Sequence, residues 1–193
     1  MLLYGASGHA KVILEALNAT HTKVSGIFDD NISIKKILDF EVIGTYESHL
    51  FMNDSIIVAI GDNMIRRAIV KKITHKFGVC FHPSALISKY TEIGEGTVIF
   101  QNAILQPSVK IGKHVIINTK SSVDHDCIVG DFVHIAPNAT LCGGVKVGDG
   151  TLIGAGAVIL PNVEIGENCI IGAGSVVVRN ISNNLTVKGN PSK

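Results

Sequence analysis

One row of residues constrains this chain more than any other. Every sixth position from Ile87 to Val177 is Ile, Leu or Val, sixteen in succession with no slip of phase. The residue two places before each, from Ala85 and Thr91 to Cys169 and Ser175, is always Ala, Thr, Val, Ser or Cys. A repeat of six is neither the period of an α-helix nor the bare alternation of a strand. As a multiple of two, it sends both rows to the same side of short strands. Glycine often follows the aliphatic, at 94, 112, 130, 148, 154, 166 and 172, where turns with positive φ are expected. This is the hexapeptide signature of a parallel β-helix. Three hexads close one triangular coil of eighteen residues, so the sixteen predict a little over five coils.

The 193 residues suffice for one large or two small domains. A net charge of +1 gives no electrostatic case for nucleic acid or an anionic membrane. There is no apolar run of about 18 residues and no signal-peptide pattern at the start, so a cytoplasmic protein without membrane insertion is the expectation. The four cysteines form no CxxC pair, which argues against a disulfide framework or a zinc site. Cys127 and Cys169 fall in the small inward row and read as buried core residues.

The front of the chain has a different grammar. Leu2 to Tyr4 reads as a strand, Gly5 to His9 as a glycine-rich turn and Ala10 to Asn18 as a helix. A second strand over 24–28 ends in Asp29-Asp30, and a third over 55–60 ends in Gly61-Asp62-Asn63. A basic amphipathic helix is expected over 64–76. This is a βαβ pattern, hence a small parallel sheet with helices, and the domain boundary falls between residues 80 and 81. Ligands of such sheets bind beyond the carboxyl ends of the strands, which here carry Gly5 to His9, Asp29-Asp30 and Gly61. The helix start after Gly8 offers free N–H groups to a phosphate, and the two aspartates can accept from a ribose or base. Gly-x-x-Gly alone equally describes a tight structural turn. It is not the full dinucleotide fingerprint, and the region is too short for a dinucleotide fold.

One stretch of the hexad surface carries chemistry: Asp124-His125-Asp126, at a corner just after Val123. A neighbouring carboxylate raises imidazole basicity and holds one tautomer, which suits a general base. One coil later stands Gly143, whose backbone N–H can meet an oxyanion. Cys142 beside it raises a covalent alternative, without a base partner of its own. His134 is half a coil away and can reach His125 only from another face or another subunit. The bland alternative is that His125 is one solvated histidine among eight.

Taken together, Tyr-Gly-Ala-Ser-Gly-His-Ala-Lys-Val, Phe-Asp-Asp, Ala-Ile-Gly-Asp-Asn-x-x-Arg, Val-Asp-His-Asp-Cys-x-x-Gly-Asp-Phe-x-His and Val-Lys-Gly-Asn-Pro-Ser-Lys resemble one family across the whole chain. It is the bacterial nucleotide-sugar acetyltransferases that join a βαβ (Rossmann-like) domain, here 1–80, to a left-handed parallel β-helix, here 81–193. The resemblance implies a homotrimer with acetyl-CoA, and no metal, bound between adjacent β-helices. It implies His125 as base supported by Asp126, where some members carry Glu. It implies donor contacts from His134, Gly143, Ala155 and Ala173. For the nucleotide sugar it implies Ser7, Gly8 and His9 below the ligand, Asp29 and Asp30 at the uridine, Gly61 at the third strand end and Asn118 at the acetyl acceptor. The expected reaction is N-acetylation of a nucleotide-linked amino sugar, a UDP-4-amino-4,6-dideoxy-N-acetyl sugar by preference. The alternative is O-acetylation of sialic acid or another sugar hydroxyl. His114, His125 and His134 lie eleven and nine residues apart, so a γ-class carbonic anhydrase site also needs checking; the front βαβ domain has no place in that fold.

Overall fold

The computed structural model describes residues 1–192; Lys193, the last residue of the Pro-Ser-Lys ending, lies outside them. In the front domain, strands β1 (Leu2–Tyr4), β2 (Gly26–Phe28) and β5 (Ile56–Val58) pair in parallel in the order β2-β1-β5. All nine strand residues are buried, as expected for a parallel sheet covered on both faces. Helix α1 (Gly8–Ala19) follows β1 and buries Ala10, Ile13, Leu14, Ala16 and Leu17. A small hairpin, β3 (Lys36–Ile37) with β4 (Phe40–Glu41), fills the polar stretch between β2 and β5. Helix α2 (Asn63–Val70) starts at Asp62, whose Oδ1 accepts from the Ile65 N–H at 2.8 Å. It ends six residues earlier than the basic pattern suggests, and Ile73 reaches the core from the turn beyond it.

From β6 (Cys80–Phe81) to Thr186–Val187 the chain winds as a three-sided solenoid of two-residue strands. Its faces hold six, five and seven parallel strands. The stacking is in register at eighteen residues, for example Leu105 beside Val123, Val123 beside Leu141 and Leu141 beside Ile159. The aliphatic row is buried from Ile99 to Val177, each side chain gaining roughly 1.5–3 kcal/mol on leaving water. Polar members of the small row are satisfied by backbone: Thr151 Oγ1 donates to Gly166 O at 2.7 Å and Ser121 Oγ to Asn118 O at 2.7 Å. The coils number about six, because the ladder extends beyond the hexads counted from sequence. β6 precedes them, and Ile181 and Val187 follow after a two-residue slip, pairing with Ile165 and Ile171.

The turn glycines do a different job from the one expected of them. Positive φ falls three residues after the aliphatic, and mostly on other residue types, including His114, Asp126, Phe132 and Asn162. Gly94, Gly112, Gly130, Gly148 and Gly166 stack at one corner in successive coils. There a methyl group on Gly94 would sit 2.6 Å from the Gly112 carbonyl carbon. Close approach of backbone, rather than φ, requires glycine at this corner.

The two domains share a core. The outward row of the seven-stranded face begins Cys80, Val98, Ile116, and these pack with Leu3, Ala10, Ile13 and Leu17 of the front domain. The next residues of that row are His134, Leu152 and Ile170.

Candidate active site

The corner after the six-stranded face carries the Asp124-His125-Asp126 group. His125 Nδ1 lies 2.8 Å from Asp126 Oδ2, and the His125 N–H donates to Asp124 Oδ1 at 2.8 Å. Asp126 adopts the left-handed conformation that closes the turn, φ 61°. With Nδ1 committed to a carboxylate, the neutral ring carries its proton there and Nε2 keeps the lone pair. The hydrogen bond that Nδ1–H donates to Asp126, then the charge of Asp124, raise the His125 pKa above its ordinary value. The ring lies over Gly143 of the next coil, where a Cβ would stand 2.7 Å from Nε2. Around it is an open groove lined by Cys142, Gly143, Gly144, Pro161 and Asn162. Among the described residues the Gly143 N–H has no hydrogen-bond acceptor, whereas Gly144 N–H donates to His125 O at 2.9 Å. Cys142 is the reverse of an activated nucleophile: burial raises its pKa, with Asp124 adding to the effect.

A second group of residues meets at the seam between domains. His134 comes from the face on which the front domain sits, and is half-buried beside Gly61. Its Nε2 lies 3.0 Å from Asn118 Nδ2. The Asn118 Oδ1 is already taken by the Thr119 N–H at 2.8 Å, so the amide donates and His134 Nε2 accepts. Burial, then nearby Arg66, depress the His134 pKa to about 4 against the raising effect of the Gly61 carbonyl. His9 stands edge-on to Phe100 and 6.5 Å from His134, centroid to centroid. Its pKa is pushed down to about 3, first by burial, and its Nε2 is buried without a hydrogen bond. Below the seam lies a pocket of about 190 Å³, lined by Gly61, Asp62, Asn63, Met64, His134, Leu152 and Ile170 among others.

The strand ends carry the remaining front-domain candidates. Asp29 spends both carboxylate oxygens on backbone: Ala6 N–H at 2.6 Å and Asn31 N–H at 2.8 Å. It ties two strand-end loops together and leaves Asp30, exposed and facing the Tyr4 hydroxyl, as the freer acceptor. Ser7 precedes α1 without capping it through its side chain, and both Ser7 and Gly8 are exposed. Ala155 and Ala173 are exposed and stack one coil apart, at the corner that also carries Asn118. In one chain, therefore, His125, Asp126 and Gly143 form one cluster, and His9, Gly61, Asn118 and His134 form another around a different side of the solenoid. Arg66, at the centre of the second cluster, was not singled out from sequence beyond its place in a motif. Among the described residues no three His, Cys, Asp or Glu side chains are grouped to hold a metal, and no helix is long and apolar enough to cross a membrane.

This arrangement is found in known proteins. Residues 1–73 match the family model described as PglD N-terminal domain, and residues 144–179 that described as bacterial transferase hexapeptide (six repeats). The chain aligns over its whole length with a mutant of perosamine N-acetyltransferase from Caulobacter crescentus solved with CoA and GDP-perosamine. Identity is 33%, the TM-score is 0.93 and 94% of that chain is covered. It aligns equally fully with the acetyltransferase domain of PglB from Neisseria gonorrhoeae in complex with acetyl coenzyme A, at 37% identity and TM-score 0.90, covering 97% of that chain. The chain belongs to the hexapeptide-repeat, left-handed β-helix family of bacterial nucleotide-sugar acetyltransferases. A curated relative, UDP-N-acetylbacillosamine N-acetyltransferase of Bacillus subtilis, is 36% identical over 106 residues, about half of either chain (50% of this one, 49% of the relative). The solenoid is thus the left-handed β-helix of that family, preceded by its small α/β domain.

Proposed function

We propose that the protein transfers the acetyl group of acetyl-CoA to the amine of a nucleotide-linked amino sugar, a UDP-4-amino-4,6-dideoxy-N-acetyl sugar by preference. The observation that carries this reading is the His125 arrangement: Nδ1 on Asp126, Nε2 over Gly143, and a free Gly143 N–H beside it. The sugar nitrogen attacks the thioester carbonyl carbon as His125 Nε2 takes its proton. The Gly143 N–H donates to the oxygen as it becomes an oxyanion, the C–S bond breaks, and the CoA thiolate leaves. A placed base contributes about 10² to 10⁴ in rate, and one oxyanion donor roughly 10² to 10³. No acyl-enzyme is needed, which agrees with the raised pKa of Cys142.

In this reading residues 1–80 hold the nucleotide sugar and 81–193 carry out transfer. Ser7, Gly8 and His9 lie below the ligand, Asp30 takes the base or ribose with Asp29 fixing the loops, and Gly61 and Asn118 face the sugar. His134, Ala155 and Ala173 contact the donor. The two clusters serve one reaction when His125 and Gly143 of one subunit face His134 of the next, in a homotrimer. Acetyl-CoA is a cytoplasmic metabolite, and the reaction is expected there. Support for the acceptor class comes from the relatives, one named for a UDP sugar and another solved with GDP-perosamine.

The test is thiol release from acetyl-CoA with UDP-4-amino-4,6-dideoxy-N-acetylglucosamine, GDP-perosamine and sialic acid in parallel, the product being located by NMR. The expected result is turnover of the UDP sugar to an amide. Turnover of sialic acid alone would replace N- by O-acetylation. No turnover together with no binding of acetyl-CoA would overturn the enzyme reading.

A further inference from the structure

Arg66 is 2% exposed, yet among the described residues no carboxylate pairs with it. Its guanidinium satisfies all five N–H groups on neutral oxygens. Nε donates to His114 O at 2.9 Å; Nη1 donates to Ile60 O at 3.0 Å and Gly61 O at 3.2 Å; Nη2 donates to Asn63 Oδ1 at 2.8 Å and Phe132 O at 2.9 Å. His114 and Phe132 occupy equivalent left-handed corner positions in successive coils, where the carbonyl accepts no backbone N–H. The same corner of the third coil is Gly150, and Asn63 Nδ2 donates to its carbonyl at 3.0 Å. Two side chains of α2, one turn apart, therefore bind three successive corner carbonyls that the β-helix ladder leaves free. The opposite edge of the guanidinium grips the loop between β5 and α2. A buried cation ringed by rigid carbonyls costs a great deal to desolvate and is retained for geometry as much as for stability.

We infer that Arg66 is a positioning residue: it locks the Gly61 loop of the sugar-binding domain to the β-helix and thereby fixes the ring of His134 between the Gly61 carbonyl and the Asn118 amide. The loop carries the third strand end, and His134 stands on the coil whose corner carbonyl, that of Phe132, Arg66 also holds. Lysine has a point charge and three donors and cannot span both edges. The assignment rests on the acetyltransferase reading only for its kinetic consequence; the state of the His134 ring can be read without substrate.

The experiment compares wild type, Arg66→Met and Arg66→Lys by long-range ¹⁵N NMR of the histidine rings, His134 being assigned from its loss in His134→Gln. Steady-state kinetics are run alongside, well below each variant's Tm. In wild type His134 is a fixed Nδ1–H tautomer. In Arg66→Met its signals become those of mixed tautomers and kcat/KM for the nucleotide sugar falls about 100-fold, the scale of a small misplacement of a reacting group. Arg66→Lys gives the same changes to a lesser degree. A folded Arg66→Met with a lower Tm but wild-type His134 signals and kinetics would make Arg66 a clamp and nothing more, overturning the inference. If Arg66→Met does not fold, unchanged His134 signals and kinetics in Arg66→Lys overturn it instead. If the ring signals move as expected while wild type itself turns over none of the acceptors, positioning stands and the acetyltransferase reading fails.

Discussion

His125 and His134 are nine residues apart in one chain and live in opposite environments. The first stands at an open corner between two carboxylates, its side chain 61% exposed, and its pKa is raised. The second is half-buried at the seam with the front domain beside a buried arginine, and its pKa is depressed to about 4. One environment makes an imidazole more basic, and the other holds it as a neutral, directed hydrogen-bonding group. The solenoid supplies both because half a coil separates two sides of it, one bare and the other the docking surface for another domain. The difference teaches that the front domain shapes the β-helix it covers: by lying over the seven-stranded face it lowers the basicity of a residue there.

The contrast can be broken most forcefully at the open corner. His125→Ala is expected to lower kcat by about 10² to 10⁴ without changing Tm, since the ring is exposed; equal turnover in the variant would remove the base. Gly143→Ala comes next. Its methyl would lie 2.7 Å from His125 Nε2, so the ring must leave, and kcat/KM is expected to fall about 100-fold with acetyl-CoA still bound in equilibrium dialysis. Asp126→Asn keeps a residue tolerant of the left-handed φ but removes the charge. The His125 pKa then falls, so the acid limb of the kcat/KM profile moves to lower pH, while a weaker base lowers the plateau by about tenfold. An unmoved acid limb would show that Asp126 does not tune the base.

The seam makes a prediction on stability, and one of opposite sign. His9, His114 and His134 have folded pKa values depressed to about 3, 4 and 4. Each stays neutral when folded but takes up a proton when unfolded once the pH drops below about 6.5. Their stability contribution is complete above that pH and is lost as pH falls from about 6.5 towards 4, at up to about 1.4 kcal/mol per unit for each group. Urea melts across this range should show stability falling with acidity, and His134→Gln should flatten the slope. His125, with its raised pKa, works the other way: its contribution is present below about 6.5 and is lost as pH rises through the folded value. A flat profile in wild type would mean that the seam is wet and the contrast between the two histidines is absent.

Much of this molecule can be read from its residues, for a physical reason. A solenoid core is a stack of identical environments, so its constraint repeats at every sixth residue and the ladder from Ile87 to Val177 declares the fold. The left-handed turns repeat too but escaped notice, because they fall three residues after the aliphatic, on Asn, Asp, His and even Phe132, and not on the glycines that directly follow it. The slip of two residues after Val177 hid the last coil by breaking the phase of the hexads. The site was legible where it depends on neighbours in sequence, as in Asp124-His125-Asp126, and where one coil is a fixed step, as from His125 to Gly143. It was not legible where it depends on docking. His134 belongs to an outward row, and nothing in a hexad says which part of that row another domain will cover. Arg66 lies in a helix that reads as a basic amphipathic surface; its five acceptors come from positions up to 66 residues away. Asp29 looked like a ligand contact beside Asp30, and only the loop geometry assigns its oxygens to backbone.

The central claim is that the open corner and the closed seam are halves of one site made by two chains. Mixing His125→Ala with His134→Ala, each impaired alone, under conditions that exchange subunits tests it directly. The account predicts that differently tagged hetero-oligomers, purified through both tags, regain turnover that neither parent has, because some interfaces then carry both native histidines. Tagged hetero-oligomers as inactive as the parents would contradict it.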